Sequence, residues 1–194
     1  MSLAPLLKIC LDRICSQLKE GMWKSCTTNP FSDLPTVLVE ELMELTQSHD
    51  EHDPPKFFDV MLLLTSGRLT RLNLCPFDLE KELDSSLKKF GRGCSSPLVL
   101  RSLYDDMIRG IMSSNPLLEE VHLKIQSNFE VFRNCQKLRI LRIYNRPKIF
   151  PVDLIGLFHA NFPIDLSVLS TLTDLEVLSL LRSSYVLLIS SSWY

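Results

Sequence analysis

Apolar residues near the start of the chain recur at steps of three and four, which is the period of an amphipathic helix. The pattern is carried by Leu3, Leu6, Leu7, Cys10, Leu11, Ile14 and Leu18. Charged residues occupy the other side of the same stretch, at Lys8, Asp12, Arg13 and Lys19. The spacing therefore predicts a first helix with one apolar face and one charged face.

A second helix is predicted from about Pro35 to Thr46, after a polar break at residues 27–30. Pro35 suits the first turn of a helix, where its missing N–H is not needed. Residues 48–55 are polar and charged and end in two prolines, so they predict a linker. We accordingly expect a helical module at residues 1–48, an acidic, proline-rich linker at 49–56 and a second unit at 57–194.

Beyond the linker the pattern changes to Leu-x-x-Leu-x-Leu, the strand portion of a leucine-rich repeat. Its four instances are Leu69, Leu72 and Leu74; Leu118, Val121 and Leu123; Leu138, Leu141 and Ile143; and Leu175, Leu178 and Leu180. Their separations of 49, 20 and 37 residues are irregular. The position three places after each instance, which usually holds Asn or Cys, is Phe77, Gln126, Arg146 or Ser183, so we expect an altered side-chain ladder.

Helical patterns at residues 98–112 and 152–158 lie between these strand segments. Strand followed by helix, repeated, builds a curved array in which each unit covers its neighbour's apolar face. The predicted fold is therefore α/β: an irregular leucine-rich-repeat solenoid preceded by a small helical module.

Alternation along each strand predicts which side chains point away from the core. These are Arg71, Asn73, Glu120, His122, Lys124, Ile140, Arg142, Tyr144, Val177 and Ser179. The candidate substrate-binding residues among them are Arg71, Asn73, His122, Lys124, Arg142 and Tyr144. Arg142 and Tyr144 are favoured, since Arg and Tyr are enriched at binding hot spots. Each of these residues taken singly is better explained as an ordinary exposed strand residue.

Composition narrows the class of protein. A hydrophobic content of 45% is sufficient for a packed core, and a net charge of −2 gives no concentrated basic surface for nucleic acid or an anionic membrane. Neither a signal peptide nor a membrane span is predicted, so we expect a protein of the cytoplasm or nucleus with six reduced cysteines.

Enzyme chemistry is not indicated by any motif. The chain lacks a glycine-rich phosphate loop, a Gly-x-Ser-x-Gly elbow and a His-Glu-x-x-His pair. Gly91-Arg92-Gly93 and the adjacent Cys94 resemble a loop more than a site, and His49 and His52 have no neighbouring cysteines. We expect no catalytic residue, metal or cofactor.

The end of the chain has no charged residue after Arg182. A solenoid needs a terminal unit with a polar outer face. We therefore expect a truncated form of a longer protein, with residues 183–194 poorly ordered or docked irregularly.

Two short patterns near the start carry the functional information. Pro5, Leu6, Cys10 and Ile14 follow the order of the elongin-binding BC box: a small residue or Pro, then Leu, then Cys and an aliphatic residue at intervals of four. Leu34, Pro35, Leu38 and Leu42 resemble the cullin-2 box, and Val37 stands where the cullin-5 form usually has a second Pro. In this order the two patterns, within residues 2–46, resemble the VHL box of ubiquitin-ligase substrate receptors.

The combination of such a box with leucine-rich repeats is similar to receptors of the Zyg-eleven and Zer-one type. The resemblance implies a substrate-recognition subunit that binds elongin C, with elongin B, and cullin-2. It does not imply the degron specificity of those receptors, because the chain lacks their armadillo-like region.

Three alternatives stay open. The apolar residues of the first helix are also explained by packing onto the second helix. The repeats are also compatible with an interaction scaffold unconnected to ubiquitin ligases. The Leu34-Pro35 start also resembles an F-box, although the chain turns into acidic linker soon after Leu45.

Overall fold

The computed structural model describes residues 5–23, 26–47, 56–89, 97–124, 129–145, 167–182 and 185–190. Helices in these ranges are α1 (Pro5–Lys19), α2 (Thr36–Gln47), α3 (Met61–Leu64), α4 (Leu79–Lys89) and α5 (Pro97–Ser114). Strands are β1 (Arg71–Asn73), β2 (Glu120–Leu123), β3 (Ile140–Asn145), β4 (Val177–Arg182) and β5 (Tyr185–Ser190). Short 3₁₀ turns lie at Phe57–Asp59, Phe129–Phe132 and Ser167–Thr171.

The strands form one sheet in chain order, β1-β2-β3-β4-β5. The first four are parallel, and each of them begins in one of the predicted Leu-x-x-Leu-x-Leu segments. The register aligns Leu72 with Val121, Leu141 and Leu178, so equivalent positions of the four segments lie side by side. All four of these side chains are buried. The predicted core face of the sheet is therefore confirmed at these positions.

Three strands enter the sheet by the same backbone geometry. The amides of Leu118, Leu138 and Leu175 donate to carbonyls three residues earlier, at 3.3, 3.0 and 3.2 Å. Directly before and at the start of each strand, two successive amides donate to one carbonyl of the preceding unit, and these carbonyls belong to Thr70, Glu119 and Arg139. The separations of 49, 20 and 37 residues are thus accommodated between the strands, while the entry into the sheet repeats.

A buried asparagine ties the first two units together. Asn115 Oδ1 accepts a hydrogen bond from Leu69 N at 3.2 Å, and its Nδ2 donates to Leu64 O at 2.6 Å and Ile111 O at 2.9 Å. The sequence pattern did not single out this residue, because it lies three positions before a segment rather than after it. An asparagine ladder at the expected positions is not needed to join these units.

The core is continuous from the first helices to the sheet. Buried residues of α1 and α2, such as Leu11 and Leu42, belong to the same cluster as Leu72 and Leu178. A polar contact joins the connection between α1 and α2 to α3: Asn29 Nδ2 donates to Leu62 O at 2.7 Å. The linker predicted at 49–56 lies outside the described residues except for Lys56, which precedes a 3₁₀ turn.

Helix α2 covers the open edge of the sheet. The backbone N and the hydroxyl of Thr70 both donate to Glu40, and Gln47 Nε2 donates to Asn73 O at 3.0 Å. Arg71 of β1 pairs with Glu40 and Glu44, at 3.7 and 3.4 Å. These contacts satisfy backbone groups that an edge strand otherwise leaves open to other chains.

The structure differs from the sequence prediction in two places. Helix α4 was not predicted, because its apolar positions, Leu79, Leu83 and Leu87, are few and lie among charged residues; Leu79 and Leu83 are nonetheless buried. The tail was expected to be poorly ordered or to dock irregularly, whereas residues 185–190 pair regularly with β4 as an antiparallel strand. The helix predicted at 152–158 lies outside the described residues.

Candidate functional site

Helix α1 carries apolar side chains on the face that points to solvent. Leu6 is 69% exposed, Ile9 is 63% exposed and Cys10 is also exposed. We call these three residues the α1 edge. Because residues three and four apart are neighbours on a helix, they form one continuous apolar strip about one turn long.

The opposite face of the same helix is already occupied. Leu11, Cys15 and Leu18 are buried in the core, and the Cys15 thiol approaches Leu42 O at 3.9 Å. Packing onto α2 therefore explains these three residues and does not explain Leu6 and Cys10. Ile14 lies between the two faces, half-buried and packed against the core. Pro5 is the first residue of α1.

The candidate cullin-binding residues divide in a different way. Pro35 is exposed, Leu34 and Leu38 are half-buried, and Leu42 is 0% exposed. A side chain with no accessible surface cannot contact a partner in this structure, so we correct the assignment of Leu42 from partner contact to core packing. Val37, which distinguishes the cullin-2 pattern from the cullin-5 pattern, is 69% exposed beside Pro35. It belongs in the candidate set.

Burial separates the thiols into two groups. Burial is the main cause that raises the pKa of Cys15 to about 11, and burial also raises the pKa of Cys135 to about 11. Both thiols are therefore protonated near neutral pH. Because the thiolate is the nucleophilic form of cysteine, both should react slowly. Cys10 and Cys26 are exposed.

We expect iodoacetamide at pH 8 to alkylate Cys10 and Cys26 in the native protein at least tenfold faster than Cys15 and Cys135, since burial both hinders access and keeps the thiol protonated. Peptide mass spectrometry after timed quenching measures the four rates. The rates in urea, where all four thiols are accessible, serve as the reference. Equal rates of the four thiols in the native chain would contradict the burial of Cys15 and Cys135.

The second candidate surface is the face of the sheet that points away from the core. The register places Asn73, His122, Arg142 and Ser179 in one row, and Arg71, Glu120, Ile140 and Val177 in the next. We call this surface the sheet face. The structure thus brings together the residues that strand alternation predicted.

Several of these side chains have partners within the chain. His122 Nε2 lies 2.8 Å from Glu120 Oε1, and the rings of His122 and Tyr144 meet edge to face at 6.2 Å. Lys124 Nζ donates to Phe77 O at 2.8 Å. Arg71 is engaged by α2, as described above. Ser179 was expected to be exposed but is buried, so it contributes no accessible surface to this face.

The described part of the chain was also compared with the requirements of a metal site and of a membrane-spanning helix. It contains no group of three or more His, Cys, Asp or Glu residues that is placed to hold a metal ion. Its helices include none with the length and apolarity needed to cross a membrane. His49, His52, Gly91-Arg92-Gly93 and Cys94 lie outside the described residues.

Comparison with protein-family models, with curated proteins and with solved structures finds no match to this chain. The resemblance to the VHL box therefore stays a hypothesis, supported by the residues and the geometry given above.

Proposed function

We propose that this chain is the substrate-recognition subunit of a ubiquitin ligase that contains elongin B, elongin C and cullin-2. In this proposal the sheet is a short, irregular leucine-rich-repeat array that holds the substrate. The chain performs no chemistry itself and brings a target protein to the ligase.

The observation that carries the proposal is the exposure of the α1 edge. A helix that only packs onto its neighbour has polar residues on its outer face. Here Leu6 and Cys10, the two central positions of the BC-box pattern, are exposed together with Ile9. A helix that enters a preformed groove presents apolar anchors at this spacing.

The nature of Cys10 supports the same reading. It is small, so a partner helix can approach the α1 backbone closely beside the larger Leu6. The exposed Pro35 and Val37 lie at the start of α2, on a different helix from the α1 edge. Two partners can therefore contact the two helices independently.

The proposal is tested by co-expressing the full chain with elongin B, elongin C and cullin-2 and separating the products by gel filtration. We expect the four proteins to elute as one complex. The full chain is used because α1 and α2 share their core with the sheet. If the elongins elute without the chain while the chain is folded, the ligase assignment is wrong and an interaction scaffold is favoured.

A single substitution tests the second contact. We expect Val37→Asp to weaken cullin-2 recruitment by about tenfold or more while the elongins stay bound. An exposed Asp in the first turn interacts favourably with the positive end of the helix dipole, so the substitution should not destabilise α2. Gel filtration of the variant complex and a melting curve of the variant chain provide the two readouts.

The control is Glu44→Ala near the end of α2, an exposed residue whose replacement removes one of the two carboxylates that pair with Arg71 and leaves Pro35 and Val37 unchanged. It should leave cullin-2 recruitment unchanged. Equal loss of cullin-2 and the elongins in Val37→Asp would show that the two boxes do not act on separate partners.

A further inference from the structure

Charge is unevenly distributed along the strands of the sheet. Carboxylates lie at the side where the strands begin: Glu119 and Glu176 directly precede β2 and β4, and Glu120 is the first residue of β2. Basic side chains lie toward the side where the strands end, with Lys124 directly after β2 and Arg142 within β3. We call these the acidic side and the basic side of the sheet face; Arg71 and Arg139 also lie on the acidic side.

Several charged groups on the acidic side have partners within the chain. Arg139 donates two hydrogen bonds to the Glu176 carboxylate, at 2.9 and 3.0 Å. Glu120 interacts with His122, and Arg71 is paired with two carboxylates of α2. The Glu176 carboxylate and the Arg71 guanidinium are therefore already paired within the chain.

The basic side differs. Lys124 Nζ donates to the neutral carbonyl of Phe77. Arg142 is half-buried, and its register neighbours are His122 and Ser179, neither of which is a carboxylate. Among the residues with described side chains, no ion pair to Arg142 or Lys124 is present. The two cations therefore leave a local positive field on a chain whose net charge is −2.

Aromatic rings lie beside these cations. His122 neighbours Arg142 in the register, and its ring packs edge to face against Tyr144. Both residues are half-buried, so part of each ring is accessible. A cation can bind a carboxylate of a ligand, and an accessible pair of rings beside it can bind an adjacent apolar group of the same ligand.

We propose that this basic corner, formed by His122, Lys124, Arg142 and Tyr144, binds an acidic segment of a partner protein. An Asp or Glu of that segment accepts hydrogen bonds from the Arg142 guanidinium, whose planar donors match a carboxylate. A neighbouring apolar side chain of the segment packs on the two rings. The inference rests on the proposed function only in calling this partner the substrate of the ligase.

The test is a selection of random 12-residue peptides displayed on phage against the immobilised full chain. We expect peptides with Asp or Glu at one fixed position next to an apolar residue to be enriched. With Arg142→Glu the same acidic peptides should be lost and Lys or Arg should be enriched instead at that position. The control Lys137→Glu makes the same change of charge at an exposed position before β3 and should select the same peptides as the wild type.

Affinity then checks the most enriched peptide in solution. Replacing its Glu or Asp by the corresponding amide should weaken binding to the wild-type chain at least tenfold. The Arg142→Gln variant should bind the unmodified acidic peptide more weakly than the wild type does, by a similar factor. Melting curves of each variant establish that it is folded. Enrichment without an acidic preference, or an unchanged preference in Arg142→Glu, would overturn the inference. Because elongin capture is measured separately, this outcome leaves the proposed function standing.

Discussion

Replacing Asn115 by Leu should lower the free energy of unfolding by about 3 kcal/mol or more. The side chain is fully buried and makes hydrogen bonds to Leu69 N, Leu64 O and Ile111 O. Leu has the same branched shape but is larger, and it leaves Leu69 N–H and Leu64 O without these partners. Each buried polar group left unsatisfied costs about 1 to 3 kcal/mol.

Urea unfolding followed by circular dichroism measures this change. The control Asn134→Leu places the same side chain at an exposed position, where substitutions are usually within about 0.5 kcal/mol of neutral. A loss below about 1 kcal/mol in Asn115→Leu would mean that the units on either side of this residue are not joined as described.

The second large effect concerns partner binding. Leu6→Ala combined with Cys10→Phe should weaken binding of the elongin B–C pair by about 2 kcal/mol or more, which is roughly 30-fold. Ala at position 6 removes the proposed anchor, and the Phe ring at position 10 holds α1 and the partner helix apart. Isothermal titration calorimetry with the full chain measures the change.

The exposure of both residues makes this result interpretable. Leu6 and Cys10 contribute little to the core, so the double variant should unfold within about 0.5 kcal/mol of the wild type. The matched control is Lys8→Ala with Asp12→Ala, which changes two exposed residues of α1 without changing the net charge. Wild-type affinity in the Leu6 and Cys10 variant would show that the α1 edge is not the elongin contact.

Periodicity predicted those elements whose apolar residues are dense. The helices that contain Leu11, Leu42 and Ile108 were found to within a few residues, because their apolar stripes extend over two or more turns. The strands were found because Leu72, Val121 and Leu141 recur in one short pattern. Helix α4 has too few apolar positions for this signal, and its burial depends on neighbours that are distant in the sequence.

The candidate site was less predictable for a physical reason. Periodicity shows which residues share a face, but it does not show whether that face meets the core or a partner. Leu42 and Leu6 both fit a box pattern, yet the first is buried and the second exposed. Similarly, Asn115 is one polar residue before Pro116, and only the positions of Leu64 and Leu69 in space give it a structural role.

Protection of Cys10 from alkylation tests the central claim most directly. Saturating elongin B–C should slow the reaction of Cys10 with iodoacetamide at least tenfold, because the α1 edge is covered in the complex. Cys26 is also exposed and lies outside α1, so it serves as an internal control whose rate should not change. An unchanged Cys10 rate, or equal slowing of Cys10 and Cys26, would contradict the assignment of α1 as the elongin-binding helix.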